Sequence, residues 1–290
     1  TSITAYRTMD YDAHLDLDAT AADFFGVFVF EDQKQFSQEF QLSYESDRLN
    51  VVTGLYYFRE HDETESGIFG PVIAFVSNSL NDQINRSYAA YGQASYSWGD
   101  FTVLGGVRYE RTEVESDAVR ATGGVLAPVS HSGSYDNWMP SLHLQWDVAQ
   151  NLVVRAAWTN TIGRPDFSSL AANESPSFDG AQPTLSRGNP GLKARESRGF
   201  DLSVEWYPRD GMISAAAFTK DIKNEIFTLT STETLDVGRG VEAVRVSTPR
   251  NAESAKIRGV EFAVQQAVTF LPQPFDGFGF NGNITWLDTE

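Results

Sequence analysis

Acidic side chains crowd the start of the chain at close spacing: Asp10, Asp12, Asp16, Asp18 and Asp23. Oxygen-rich loops of this kind hold hard divalent cations, but this run lacks the central glycine and the closing glutamate of a calcium loop and reads as a solvated segment. A second patch, His61, Asp62, Glu63 and Glu65, stands where an alternating segment ends. It reads as a wetted rim, and no metal site is assigned. The other histidines, His14, His131 and His143, are scattered, and cysteine is absent. There is no Gly-x-Ser-x-Gly, no His-Glu-x-x-His and no glycine-rich phosphate loop. Nucleophilic, zinc-assisted and phosphate-cradling chemistry therefore have no motif to rest on. No catalytic residue and no cofactor are expected, and the chain is read as a non-enzyme. What remains is recognition chemistry. Phe69, Phe75, Phe167 and Phe178, with Asp179, fall in long polar stretches where rings can stack on a ligand. Glu39, Arg108, Glu110, Arg155 and Glu205 fall within alternating segments.

Those segments are the elements that must position them. Short turn-like breaks recur at intervals of roughly 50 to 60 residues: Ser46-Asp47-Arg48, Gly99-Asp100, Ala149-Gln150-Asn151, Pro208-Arg209-Asp210-Gly211 and the stretch from Leu271 to Gly277. Each joins two segments in which apolar and polar residues alternate, the period of a strand. One side of the segment before Gly99 reads Tyr88, Ala90, Gly92, Ala94, Tyr96, Trp98, and the other reads Ser87, Ala89, Tyr91, Gln93, Ser95, Ser97. After the turn, Phe101, Val103, Gly105, Val107 and Tyr109 oppose Thr102, Leu104, Gly106, Arg108 and Glu110. Aromatic rings close both ends of the apolar side, as at a membrane–water boundary. Short turns alternating with long polar loops, near 15–32, 62–83, 115–134, 164–194 and 229–254, give the connectivity of a membrane β-barrel.

A soluble antiparallel sandwich also alternates. Segments of about 10 to 14 residues exceed the usual strand of about 5 to 6, whereas a tilted membrane strand needs about 9 to 11. The polar side, rich in Gln, Asn, Ser, Arg and Glu, also suits a wet or plugged lumen better than a sandwich core. Hydrophobic content of 41%, a mean hydropathy of -0.31 and no apolar run near 18 residues exclude a transmembrane helix and leave a barrel open. A net charge of -17 excludes a nucleic-acid-binding surface, which needs a basic footprint.

About eleven strands are expected, near 2–12, 33–46, 48–61, 84–98, 100–114, 135–148, 151–163, 195–208, 211–228, 241–270 in part and 277–290. They make an all-β, antiparallel transmembrane barrel, about half of the roughly 22 strands at which a lumen is plugged. The chain resembles the barrel of TonB-dependent outer-membrane receptors over nearly its whole length. The resemblance is carried by Trp138-Met139-Pro140-Ser141-Leu142 to Trp146, by Asn151-Leu152-Val153-Val154-Arg155-Ala156-Ala157-Trp158, and by Thr161-Ile162-Gly163-Arg164-Pro165-Asp166-Phe167. Gly188-Asn189-Pro190-Gly191-Leu192-Lys193, Lys220-Asp221-Ile222-Lys223-Asn224 and Lys256-Ile257-Arg258-Gly259-Val260-Glu261 continue it. Ala194 and Arg195 depart from the pattern where a proline often follows the Leu-Lys pair.

The resemblance implies that residues 1–290 are a partial barrel domain of a Gram-negative outer-membrane protein, lacking its plug domain and closing C-terminal strands. It implies energised import of a scarce nutrient such as a ferric siderophore, haem, cobalamin or oligosaccharide. The implied partners are the TonB energy-transducing complex of the inner membrane, reached through the plug, outer-membrane lipid and lipopolysaccharide, and the nutrient ligand. In this reading Phe69, Phe75, Phe167, Phe178 and Asp179 meet ligand on outward loops, while Glu39, Arg108, Glu110, Arg155 and Glu205 line the lumen and touch the plug. A passive porin, and a secreted carbohydrate-binding β-protein, are the competing expectations.

Overall fold

The computed structural model describes residues 1–17, 19, 26–69, 77–122, 125–171, 174–177, 182–237, 240–269 and 271–290. Strands dominate because alternation lets each segment hydrogen-bond to neighbours on both sides while keeping one side chain set apolar. The chain runs β1 (Ser2–Asp16), β2 (Gly26–Glu45), β3 (Leu49–Phe69), β4 (Ser77–Trp98), β5 (Phe101–Thr122), β6 (Val125–Ala149) and β7 (Leu152–Gly163). A one-turn helix α1 (Phe167–Leu170) and two short strands, β8 (Glu174–Ser177) and β9 (Thr184–Arg187), follow. Then come β10 (Arg195–Trp206), β11 (Gly211–Lys223), β12 (Ile226–Asp236), β13 (Val241–Asn251), β14 (Ser254–Ala267) and β15 (Gly279–Thr289). One antiparallel sheet of 11 strands has the order β1-β2-β3-β4-β5-β6-β7-β10-β11-β14-β15.

Tight turns join its hairpins at one end. Gly99 holds φ at +56°, so the Trp98 and Phe101 pair closes over two residues. Ser46 braces the next turn, its N–H donating to the Leu49 carbonyl at 2.9 Å and its Oγ accepting from the Leu49 N–H at 3.1 Å. At the other end the structure corrects the expected loops. Residues 62–83 and 115–134 are largely strand, because β3 to β6 continue well past the alternating region, to 21, 22, 22 and 25 residues. Beyond Tyr88 and Tyr109 polar residues predominate on both sides of the ribbon, with isolated apolar residues such as Ile84 and Val114. Backbone pairing persists there after the apolar alternation has ended.

The expected strand at 211–228 ends at Lys223, and the one at 241–270 divides into β13 and β14. β12 and β13 leave the large sheet and pair with each other. With β9 and β8 they form a separate sheet of 4 strands, ordered β12-β13-β9-β8, around buried Leu185, Val237, Val244 and Val246. What reads in sequence as two loops is thus one small folded unit.

The apolar side of the large sheet is uncovered. Leu42, Leu55, Leu142, Leu202, Val260, Ile284 and Trp286 are all at least half exposed, the inverse of a soluble core. Tyr88, Leu144 and Ile284 are likewise exposed, which excludes a sandwich interior. Rings mark its two borders. Tyr96, Trp98, Phe101 and Trp146 stack in sequence at 5.9, 5.8 and 5.5 Å near the tight turns. Phe36, Tyr57 and Tyr88 lie at 6.2 and 5.3 Å, with Tyr109 against Trp138 at 4.9 Å, near the far border. Ten residues separate Tyr88 from Trp98, roughly 33 Å of strand and about 25 Å of height at a tilt near 40°, the thickness of an apolar membrane band.

Candidate ligand-binding site on the polar face

The other side of the sheet gathers charged, polar and aromatic groups, because residues paired across antiparallel strands share a face. The pairing sets up rows: Tyr56, Ala89, Glu110, Asn137; then Phe58, Ser87, Thr112, Tyr135; then Glu60, Asn85, Val114; then Asp62, Gln83, Ser116. The first row lies level with the outer ring border and the others step outward from it. Residues 164–170 fold onto this wall. Gly163 ends β7 ahead of Arg164-Pro165, proline having no donor for the ladder, and Leu170 with Leu192 then packs on Val114.

Arg164 reaches back to the wall and its Nη2 donates to Glu110 Oε1. Arg108 bonds the other oxygen, Nη2 at 2.7 Å and Nε at 3.0 Å. Glu110 is 1% exposed, and a carboxylate so deep is tolerable only when charged partners satisfy both oxygens. Arg108 also lies over the Tyr56 ring at 5.4 Å and the Tyr91 ring at 5.8 Å. Tyr91 Oη donates to Glu39 and accepts from Gln41 Nε2 at 3.3 Å. Gly54 sits opposite Tyr91, and a Cβ there would meet that ring and the Phe40 carbonyl at 2.7 Å, so only glycine fits. Farther along the sheet Arg155 pairs with Glu205, which also accepts from Tyr207 Oη at 2.5 Å.

Between the wall and residues 164–170 lies a cavity of about 690 Å³. Rings of Tyr56, Phe58 and Tyr135 line it, with the neutral polar groups of Gln35, Asn85, Ser87 and Thr112 and the charges of Glu60, Arg164 and Asp166. Gln35 Nε2 holds Glu60 at 2.5 Å. Asn85 is buried with its Nδ2 unpartnered, and so, one row outward, is the Gln83 amide at both atoms. Beyond the outer border burial pushes the Asp62 carboxyl up to about 6, with repulsion from Glu31 and Glu60 adding to it.

Glu39, Arg108, Glu110, Arg155 and Glu205, named from the sequence, all lie on this polar face. Glu39, Arg108 and Glu110 form one connected network, and Arg155 with Glu205 forms another. Phe75, Phe178 and Asp179 lie outside the described residues, as do the side chains of Phe69 and Phe167, whose backbones belong to β3 and α1. The patch at 61–65 is split by the pleat. Asp62 turns to the polar face, and His61 Nε2 lies 2.8 Å from Asp82 and 3.4 Å from Glu63 on the other. The cavity residues Tyr56, Phe58, Asn85 and Tyr135 were not singled out for a ligand from sequence. Their signal was parity: Tyr56 and Phe58 alternate with the apolar-side Leu55 and Tyr57.

The family model for the TonB dependent receptor-like β-barrel matches residues 2–290. This chain belongs to the TonB-dependent receptor β-barrel family. The whole chain superposes on the ferric yersiniabactin uptake receptor FyuA from Yersinia pestis at a TM-score of 0.64 with 16% identity, covering 40% of that chain. It superposes on the copper transporter OprC at 0.69 with 12% identity, covering 43%, and on the ferric citrate transporter FecA at 0.63 with 11% identity, covering 40%. At such identities the likeness is one of fold. The chain spans about two fifths of the length of these receptors. No curated protein sequence matches it. The uncovered apolar side is the barrel exterior, an antiparallel transmembrane wall, and the polar side is its lumen. The family is one of receptors and transporters, not enzymes.

Proposed function

We propose that the protein carrying this barrel is an outer-membrane receptor of a Gram-negative cell that imports a scarce nutrient at the expense of the inner-membrane proton gradient, through TonB and a plug domain. The observation that carries the reading is the cavity at the outer mouth of the lumen, walled by β2 to β6 and roofed by residues 164–170. It offers a bound molecule rings, amides and hydroxyls at the level where a ligand arrives from outside. Transport of ferric chelates and copper by proteins of the same fold supports it. Glu39, Arg108, Glu110, Arg155 and Glu205 face the plug, the inner rows supplying fixed charges against which it can seat. Ligand contacts from Phe69, Phe75, Phe167, Phe178 and Asp179 belong to the same reading, at the outer rim. Residues 1–290 are then part of the barrel domain, its apolar exterior in contact with lipid and lipopolysaccharide.

Uptake of the nutrient by cells expressing the full-length receptor tests this. Accumulation should stop when a protonophore collapses the gradient while surface binding continues. Undiminished uptake without the gradient would show a passive pore instead.

A further inference from the structure

The patch that reads in sequence as a wetted rim is divided by the pleat, and the division brings a third residue to it. His61 and Glu63 project to the exterior side of β3 and Asp62 to the other, while the register sets Glu63 directly opposite Asp82 on β4. His61 Nε2 lies 2.8 Å from Asp82 Oδ1 and 3.4 Å from Glu63 Oε1, and the three donor atoms all fall within 4.8 Å of one another. Ligands held about 2.0–2.2 Å from a single zinc ion stand about 2.9–3.5 Å apart. Two edges of a coordination shell are therefore already close to length. The third, between the two carboxylates, needs at most a small turn of the exposed Glu63 side chain.

Charge favours an ion at this place. The row that holds Glu63 and Asp82 runs across five strands as Asp10, Asp32, Glu63, Asp82 and Asp117. Carboxylates directly opposite one another repel. Lys34 answers Asp32 at 2.8 Å, but among the described residues Glu63 and Asp82 meet no lysine or arginine and share His61 alone. With the imidazole neutral the trio carries two negative charges, which one divalent ion cancels and a protonated His61 only halves. The donor set then selects the ion. One imidazole nitrogen and two carboxylate oxygens suit zinc and its first-row neighbours, whereas calcium asks for about six to eight oxygens and magnesium keeps most of its water.

We propose that His61, Glu63 and Asp82 bind a divalent transition-metal ion such as zinc on the outer surface of the barrel. The site stands four to six residues beyond the border marked by Tyr57 and Tyr88, roughly 10–15 Å outside the apolar band on tilted strands. It faces away from the lumen, so the ion is not cargo in passage. It ties β3 to β4 where apolar alternation has ended, and with Glu63 and Asp82 54% and 48% exposed its remaining coordination positions open to water.

The test is isothermal titration of the detergent-solubilised full-length receptor, stripped by a chelator, with zinc chloride, and then with cobalt chloride read by the visible absorption of the bound ion. Zinc should bind and should stay bound in a hundredfold excess of calcium or magnesium. His61→Ala, Glu63→Gln and Asp82→Asn should each weaken it at least tenfold, and His61→Ala should also change the cobalt absorption. Asp62→Asn, adjacent in sequence but across the pleat, should alter binding less than twofold. In the parent protein zinc should slow amide exchange over residues 61–66 and 79–84, an effect lost in His61→Ala; this readout on the parent does not depend on how any variant folds. Failure of zinc to bind, binding that the three substitutions leave intact, a tenfold loss in Asp62→Asn, unchanged exchange in the parent, or displacement by that excess of calcium or magnesium would overturn the proposal.

Discussion

Replacing Arg164 by alanine should loosen the roof of the cavity by an amount the structure sets. Arg164 supplies one of two guanidinium partners to a carboxylate that is 1% exposed. Stripping a buried charge of its whole partnership costs about 3–5 kcal/mol. Here Arg108 stays on Oε2 at 2.7 Å, so the loss is closer to that of a single charged hydrogen bond, about 1.5–3 kcal/mol. The loss falls on the docked state of residues 164–170, not on the barrel, whose ladder is untouched. Local opening should therefore become roughly 10- to 150-fold more frequent, at 1.36 kcal/mol per tenfold. The amides of Ser169 and Leu170, which donate to the Asp166 carbonyl at 3.0 and 3.1 Å, report that opening. Hydrogen exchange read by mass spectrometry on the full-length receptor should show their protection falling by that factor, with strand peptides of β5 unchanged. Glu110→Gln should act in the same direction, and the double variant should lose little more than either single one, because the two side chains share one interaction. Protection within threefold of the parent in Arg164→Ala would show that Leu170 and Leu192 on Val114 hold the roof without the ion pair, and would refute the reasoning.

Three further outcomes are expected. Asp62 titrates near 6 in the folded protein against an ordinary 3.8, so its contribution to stability is full below about pH 4 and is lost as pH rises through 6; at pH 7.5 Asp62→Asn should be the more stable protein by up to about 3 kcal/mol, and thermal unfolding that shows no gain at pH 7.5 over pH 4 would contradict it. Leu142→Arg, on a side chain half exposed on the apolar side, would be harmless on a soluble protein but should cost about 2–4 kcal/mol when folding is measured in lipid vesicles. Asn251 accepts from the Lys193 N–H at 2.9 Å and donates to the Lys193 and Asn224 carbonyls at 3.0 and 2.8 Å; Asn251→Ala should destabilise this junction by about 1–3 kcal/mol, seen as faster exchange of the Lys193 amide, and unchanged exchange would remove its role.

The sequence disclosed the wall where one side of a strand meets an apolar medium and the other meets water. From Tyr88 to Trp98 and from Phe101 to Tyr109 alternation locates the strands and their inward residues alike. Outward of Tyr88 the signal ends. Asn81, Asp82, Gln83 and Ile84 do not alternate, yet all four are paired with β5, because backbone hydrogen bonds need no contrast between faces. The small sheet was illegible for another reason. Its core joins Leu185 to Val244 and Val246, residues about 60 positions apart, through short segments that bury nothing alone. At the site, parity located Arg108 and Glu110, but not Arg164, which lies off the strands and 54 residues from its partner. Rings also stand on the wall, at Tyr56, Phe58 and Tyr135, positions that alternation had reserved for polar groups.

The parallel pairing of β9 with β13, Arg245 to Thr184 through Ser247 to Ser186, ties together two outward excursions of the chain. Asn189 adds a second tie, its Nδ2 donating to the Pro249 carbonyl at 2.9 Å. Neither excursion can swing alone without breaking main-chain bonds to the other. Whatever displaces one therefore displaces both, and an insertion in one during evolution demands a matching adjustment in its mate.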